Sequence, residues 1–389
     1  MDNRVRQSGG MKRSTESVTF GDAEKAAHFV LKKLDDNLNQ YSRTFPGIHS
    51  ERLRYPHGEN HMWAHGFWTG MSWLAYDLTG DDKYRRAAEA QLESYGQRFR
   101  MKVNGVGVND GHELGMVYVP SCVAAFKLTG NREAREWALQ AAELLRSKTT
   151  KNGMIYQHQS GRRHRTVIDT VMNLPLLHWA YEETGDERYV DVCRRHIEHV
   201  LRLNLRENGM IYHAVDLHQD SGEPINRLAG FSPGSCWSRG MAWGIYGLAL
   251  HYSRSSHQES LQAATAMTAY YISRLPSDDV CCWDLYYTGE REQRDSSASA
   301  IAVCGMLELL KHMDAHAEQR PLFEQVVSRT LHSLTGDYVS VNEAGCNGVL
   351  LHGVYNLPLW AGVDECCLWG DYFYFEALVR CIKDWDRYW

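Results

Sequence analysis

The hydrophobic pattern of the chain repeats one theme. The stretch from Phe67 to Asp81 is apolar almost all round, ends in Leu-Thr-Gly-Asp, and is followed by Tyr84 and an Ala-rich amphipathic segment. The stretches Val123–Asn131 and Leu176–Asp186 do the same. The three glycines, Gly80, Gly130 and Gly185, lie 50 and 55 residues apart. A glycine there can take the left-handed conformation that ends a helix, and the Asp or Asn after it can cap the next one. Each unit is therefore expected to be a helix, a tight turn and a second helix. Weaker copies run over Met241–Tyr252 with Ser260–Arg274 and over Ser297–Met313 with Pro321–Leu334. A last helix, Asp371–Trp385, is expected to pair with the first, Asp22–Gln40. The period is longer and less regular than a tetratricopeptide repeat.

In each unit the first helix is apolar and the second amphipathic. Wholly apolar helices are buried and amphipathic ones face water. Six such hairpins give an all-α fold, an (α/α)6 barrel with a buried inner ring and an amphipathic outer ring; an open solenoid is the alternative. The loops between units would line one mouth, with strand-like pieces at Gly153–Gln157 and Gly209–His213. Residues 1–20 are polar and read as a disordered segment, with 21–389 as one barrel domain.

Composition narrows the function. The formal charge of −6 over 389 residues gives no footprint for nucleic acid or an anionic membrane. There is no apolar signal core near the start and no run long enough for a membrane span. The ten Cys form no CxxC and sit mostly in apolar stretches, as reduced core residues do. Together these suggest a cytoplasmic protein, a monomer or homodimer. The 12 Trp, 21 Tyr and 10 Phe must fill a thick core or line a sugar-sized cleft.

Several polar residues stand out. Asp169 is set in Val-Ile-Asp-Thr-Val-Met-Asn-Leu-Pro, where burial would raise a carboxyl's pKa toward that of a general acid. It could also be a helix cap, although Pro175 makes Asn173 the better one. Glu113, beside His112, could be the second half of an acid/base pair or a helix-start charge. His112-Glu113 is no metal motif, because position 116 is Met. Trp237-Ser238-Arg239-Gly240-Met241-Ala242-Trp243 puts an Arg, suited to carboxylates, between two Trp, suited to sugar faces. Arg294-Asp295-Ser296-Ser297 reads as a helix cap with a partnered Arg. Nucleotide-binding and serine-hydrolase signatures are absent.

Taken in order, these motifs resemble one family. They are Trp63-Ala64-His65-Gly66-Phe67-Trp68, His112-Glu113-Leu114-Gly115, Ile168–Leu177, Trp237–Gly247, Arg294–Ala298, His352-Gly353-Val354-Tyr355, Gly362–Glu365 and Trp369-Gly370-Asp371-Tyr372. The chain resembles the unsaturated glucuronyl hydrolases, family 88 of the glycoside hydrolases. The resemblance implies an (α/α)6 barrel that needs no cofactor and no metal. It also implies a substrate, an oligosaccharide whose non-reducing end is a 4,5-unsaturated uronic acid. An aspartic acid protonates C4, water adds at C5, and the hemiketal collapses. The family's acid/base aspartate falls on Asp169, its Trp platform on Trp63, and the His before its second carboxylate on His112. Its carboxylate-region Arg and Trp fall on Arg239 and Trp243, and His213 and Trp237 match substrate-facing positions.

There are departures. The second carboxylate is Glu113 where the family usually has Asp. A His-Gln pair of some members is Leu228-Ala229 here. The Ser-x-x-Ser-x-Lys patch of members acting on sulfated glycosaminoglycans is replaced by Asn356, Leu359 and Ala361, which implies a preference for unsulfated substrates. Rhamnogalacturonyl hydrolysis, sugar epimerisation and non-catalytic carbohydrate binding on the same barrel are the competing readings.

Overall fold

The computed structural model describes residues 20–42, 44–157, 164–290 and 292–389; residues 1–19, most of the segment read as disordered, lie outside it. Among the described residues thirteen α-helices follow in chain order: α1 Phe20–Gln40, α2 His65–Thr79, α3 Asp82–Gln97, α4 Leu114–Tyr118, α5 Ala124–Thr129, α6 Arg132–Ser147, α7 Leu174–Thr184, α8 Glu187–Leu203, α9 Ser238–Ser255, α10 Gln258–Ser273, α11 Ser296–Leu310, α12 Arg320–Ser333 and α13 Leu368–Ile382. The helices α4 and α5 are one inner helix, joined by a π-turn over Val119–Val123. Pro120 has no N–H to give to a regular helix and forces that turn. The sequence pattern showed only the part after it.

The inner helices α2, α4/α5, α7, α9, α11 and α13 each pack on the next, and α13 packs back on α2. This closes the ring, so the architecture is the (α/α)6 barrel and not an open solenoid. The hairpin turns form as the repeat demands. Gly80, Gly130 and Gly185 have φ near +70° and donate their N–H to Tyr76, Phe126 and Tyr181. Asp81, Asn131 and Asp186 then accept from the N–H of Lys83, Ala134 and Arg188 in the next helix.

The ring is tight where two inner helices meet at glycine. A Cβ on Gly115 would overlap the backbone of Asn173, with the carbonyl oxygen 2.7 Å away. Any larger residue would push α4 off the start of α7.

The C-terminal tail closes the far end. Helix α13 stops at Ile382, short of the expected Trp385, because Lys383 and Trp385 turn away to bond Asp77 at 2.8 and 2.9 Å. Trp389, 1% exposed, then enters the barrel axis. It stacks on Phe373 at 5.9 Å, meets Phe67, Tyr246 and Tyr372, and donates to Glu376 at 2.8 Å. The near end, where the inner helices begin, carries the loops. There the strand-like pieces form single bridges, Thr149 to Ile155 and Leu205 to Ile211. Three strands, Arg165–Val167, Ala214–Leu217 and Pro224–Leu228, follow them in one antiparallel sheet, and three two-stranded hairpins lie elsewhere in the described loops. No described helix is long and apolar enough to cross a membrane.

Buried histidines make this fold acid-sensitive. Burial holds His65, His178, His196 and His251 below the ordinary 6.5, to about 4 for His178 and about 3 for His196 and His251. His178 and His251 share a hydrogen bond of 3.1 Å. Unfolding frees these rings to bind protons near pH 6.5, so stability is full above that pH and falls as pH drops toward 4. Thermal midpoints are expected to fall between about pH 7.5 and about pH 5.5, and His178→Gln to flatten part of that fall; a flat profile would contradict the argument.

Candidate active site

At the near mouth, two acids arrive from neighbouring units. Glu113 occupies the cap position of α4, but its side chain does not cap that helix. Instead it folds back over Gly111. A Cβ on Gly111 would overlap Glu113 Oε2, with Cδ 3.1 Å away. The longer stem of Glu is therefore housed by the missing side chain of Gly111. His112 lies beside it, 2% exposed, with Nδ1 3.8 Å from Glu113 Oε2 and neither ring nitrogen hydrogen-bonded.

Asp169 sits on a 3-10 turn, Ile168–Asn173, between the strand at Arg165–Val167 and α7. The turn is fixed at its start by Ile168 N–H donating to His213 O at 2.9 Å. It is fixed at its end by Asn173, whose Nδ2 donates to Asp169 O at 3.3 Å and whose Oδ1 accepts from Met116 N–H at 3.0 Å. Asn173 thus stands at the head of α7 but spends its side chain joining the two acid-bearing segments. Asp169 is half-buried rather than enclosed, and its Oδ1 is a buried acceptor with no partner. Unsatisfied buried polar atoms are costly and collect where a ligand is to supply the partner.

His213 borders this pair. Its ring meets Trp237 edge-on at 4.6 Å. Burial lowers its pKa; nearby Asp169 opposes the shift and Arg239 adds to it. The ring is therefore neutral at neutral pH, with one nitrogen to donate and one to accept.

Arg239 is held more firmly than an exposed carboxylate receptor. It is 4% exposed, its guanidinium lying over Trp237 at 4.6 Å and Trp369 at 4.8 Å. It donates to the carbonyls of Val354 and of Tyr355, the latter at 2.9 Å. The buried carboxylate of Asp295 is 3.7 Å away. Burial raises the pKa of Asp295, with Arg239 pulling the other way. Asp295 caps α11 through Ala298 N–H, and Arg294 pairs with Asp278 at 3.0 Å, as the sequence suggested. Trp369 extends the aromatic row to Trp63, centroids 4.9 Å apart, and to Tyr355 at 5.7 Å.

Trp63 and Glu113 line a cavity of about 520 Å³ together with Arg98. Arg98 is 2% exposed and bonds only neutral acceptors, among them Asn60 O and Oδ1 at 3.0 Å and Asn109 Oδ1 at 3.1 Å. It ties the loop before Trp63 to the loop before His112. A larger groove, about 1290 Å³, runs along α8 past His178 and Arg254, and no candidate site residue lines it. Its arginines Arg146, Arg188, Arg194, Arg195 and Arg254 are engaged with Glu143, Asp186, Asp191 and Glu182.

Of the residues singled out in the sequence, Trp63, His112, Glu113, Asp169, His213, Trp237 and Arg239 come to this mouth. Trp243 does not. It is 1% exposed, one turn into α9, and packs edge-on against Phe373 at 5.3 Å, so it belongs to the barrel core rather than to a sugar platform. Trp369, Gly111 and Arg98 were not singled out, and Asn173 only as a helix cap, whose side chain does not cap α7. Trp369 stands within a quoted motif, whereas Arg98 ends an amphipathic outer helix and reads as an ordinary surface cation.

Comparison with known proteins gives the family. The family model "Glycosyl Hydrolase Family 88" matches residues 39–356. An "Unsaturated chondroitin disaccharide hydrolase" of Streptococcus pneumoniae is 35% identical over 96% of this chain and 95% of its own. The crystal structure of unsaturated glucuronyl hydrolase from Streptococcus agalactiae superposes with a TM-score of 0.92 at 34% identity, covering 96% of this chain and 95% of that one. A variant of it complexed with dGlcA-GalNAc6S gives 0.86 at 34% identity, covering 97% and 95%. The chain belongs to family 88 and is a glycoside hydrolase.

The Gly111 pocket can be tested alone. Gly111→Ala is expected to displace the Glu113 carboxylate and lower turnover about tenfold or more with little change in thermal midpoint. Adding Glu113→Asp, whose shorter stem does not reach back, is expected to recover activity. Equal losses in the single and double variants would show that the carboxylate is not what Gly111 accommodates.

Proposed function

We propose that this family 88 enzyme removes a 4,5-unsaturated glucuronyl residue from the non-reducing end of lyase-generated oligosaccharides. The observation that carries the reading is that Asp169, with its unpartnered Oδ1, and His112, with neither ring nitrogen hydrogen-bonded, both lie close enough to His213 to act on its charge. The relatives named for unsaturated chondroitin disaccharides and unsaturated glucuronides favour this substrate over a rhamnogalacturonide.

In this reading protonated Asp169 gives its proton to C4 of the vinyl ether. Positive charge develops at C5, water adds there, and its proton returns to the Asp169 carboxylate. The hemiketal then opens by breaking the bond between C5 and the ring oxygen, and the released hemiacetal at C1 expels the leaving sugar. Glu113, the second carboxylate, holds substrate. Trp63 offers an aromatic face to the sugar. His112 and neutral His213 supply hydrogen bonds, and Trp237 with Arg239 forms the wall toward the uronate carboxylate. Arg239 is held for this by hydrogen bonds to two neutral carbonyls, with the Asp295 carboxylate 3.7 Å away.

Substrates without sulfate are preferred. The hairpin joining Gly353–Asn356 to Ala361–Glu365 carries no cation. Its tip exposes Leu359 at 75% and Trp360 at 79%, and the Asn356 side chain is occupied by Leu359 N–H at 3.2 Å. An apolar tip cannot repay the desolvation of a sulfate. The residue beneath the scissile bond is thus expected to be unsulfated.

Loss of the vinyl-ether ultraviolet absorbance measures turnover. Unsulfated chondroitin disaccharide is expected to decay about tenfold or more faster per enzyme than its 6-sulfated counterpart, and Asp169→Asn to abolish decay while still binding substrate. Full turnover by Asp169→Asn would remove Asp169 as the acid, and faster decay of the sulfated disaccharide would overturn the sulfate argument.

A further inference from the structure

One aromatic cluster at the same mouth has no part in the chemistry above. Phe231 and Tyr286 are both 60% exposed, a poor position for large rings that merely fill space. They are joined through half-buried Tyr287 and buried Trp283. Phe231 meets Trp283 at 5.9 Å and Tyr287 at 6.2 Å, Trp283 stacks on Tyr287 at 6.2 Å, and Tyr286 meets Tyr287 at 5.4 Å.

The cluster is built rather than incidental. Its two loops are tied by one fully buried carboxylate. Asp284 Oδ1 accepts from Cys236 N–H at 2.9 Å and Tyr286 N–H at 3.0 Å, and Oδ2 accepts from Phe231 N–H at 3.4 Å. Arg274 secures the same turn by donating to Leu285 O and Tyr286 O at 2.8 and 2.9 Å. A carboxylate is an expensive group to bury, and here its hydrogen bonds serve to hold exposed rings in place. The ledge is also continuous with the candidate active site. Asp284 is bridged to Trp237, which meets His213 and lies against Arg239. On the other side Arg206, bonded to Ser235 O at 3.3 Å, lies over Tyr212, as does Arg227. Exposed aromatic faces beside cations suit the apolar faces and carboxylates of an acidic sugar chain.

We propose that Phe231, Trp283, Tyr286 and Tyr287 form an ancillary sugar-binding ledge that takes the reducing-side residues of an acidic oligosaccharide longer than a disaccharide. The ledge rests on the reading that the unsaturated end of that chain enters at Asp169. It gives the enzyme a preference for longer lyase products without any change at the reacting carbons.

The test compares unsaturated di- and tetrasaccharides of unsulfated chondroitin on the wild type and on Phe231→Ala, Tyr286→Ala and the double variant. The wild type is expected to show a lower KM for the tetrasaccharide. The double variant is expected to raise that KM about tenfold with kcat unchanged, and to leave the disaccharide constants as they were. Equal KM values for both lengths in the wild type, or a parallel rise for both substrates in the variants, would overturn the ledge. So would loss of self-association in the variants with the chain-length preference intact, which would assign the patch to a second copy of the chain. Calorimetric binding of the tetrasaccharide to Asp169→Asn, with and without the ledge substitutions, judges the ledge independently of turnover. If the wild type fails to turn over the disaccharide, the functional reading falls, while a substitution-sensitive tetrasaccharide affinity still supports the ledge.

Discussion

The site depends on one contact, the seat of Gly115 against Asn173. Glu113 precedes Gly115 by two residues and Asp169 precedes Asn173 by four, so the backbone approach at this point sets how the two acids face each other. The Asn173 amide serves both sides, accepting from Met116 N–H and donating to the carbonyl of Asp169. Both groups are buried, and leaving either without a partner would cost about 1–3 kcal/mol. The same contact closes the inner ring between α4 and α7. Barrel closure and acid placement are therefore one requirement, met by a residue too small to hold the helices apart and an amide able to join them.

A second constraint is charge. A chain carrying −6 overall must admit an anionic substrate. Two buried guanidiniums answer this. Arg98 bonds neutral oxygens beneath the Trp63–Glu113 cavity, and Arg239 lies between two indole rings with its nearest carboxylate at 3.7 Å. Both guanidiniums lie in a region of low dielectric, where charges act more strongly than at the surface, and each has a carboxylate nearby, Asp295 for Arg239 and Glu113 for Arg98. Both also fix loops, so the electrostatics and the shape of the mouth rest on the same residues.

Much of this was legible in the chain. The repeated Leu-Thr-Gly-Asp turn states its own conformation, and apolar against amphipathic helices state which ring is inner. Asp169 stood out because a carboxylate among apolar residues needs a reason, and Glu113 because it stands beside a His. What stayed hidden depended on distance in sequence. Trp243 and Trp237 sit six residues apart in one motif, and only the helix that starts between them sends one into the core and leaves the other in the cleft. The fit of Glu113 rests on an absent side chain at Gly111, and nothing in the pattern marks that glycine. Arg98 looked like the polar face of an outer helix, since its partners Asn60 and Asn109 are brought to it only by the fold.

The central claim is that this mouth attacks a double bond at C4 and C5 and not the anomeric carbon. Turnover in a methanol–water mixture, with the methyl adduct identified by nuclear magnetic resonance, separates the two most directly. Hydration of the vinyl ether predicts a methoxy group on C5 with C4 converted to a methylene. A methyl glycoside at C1 with the double bond intact would contradict the account.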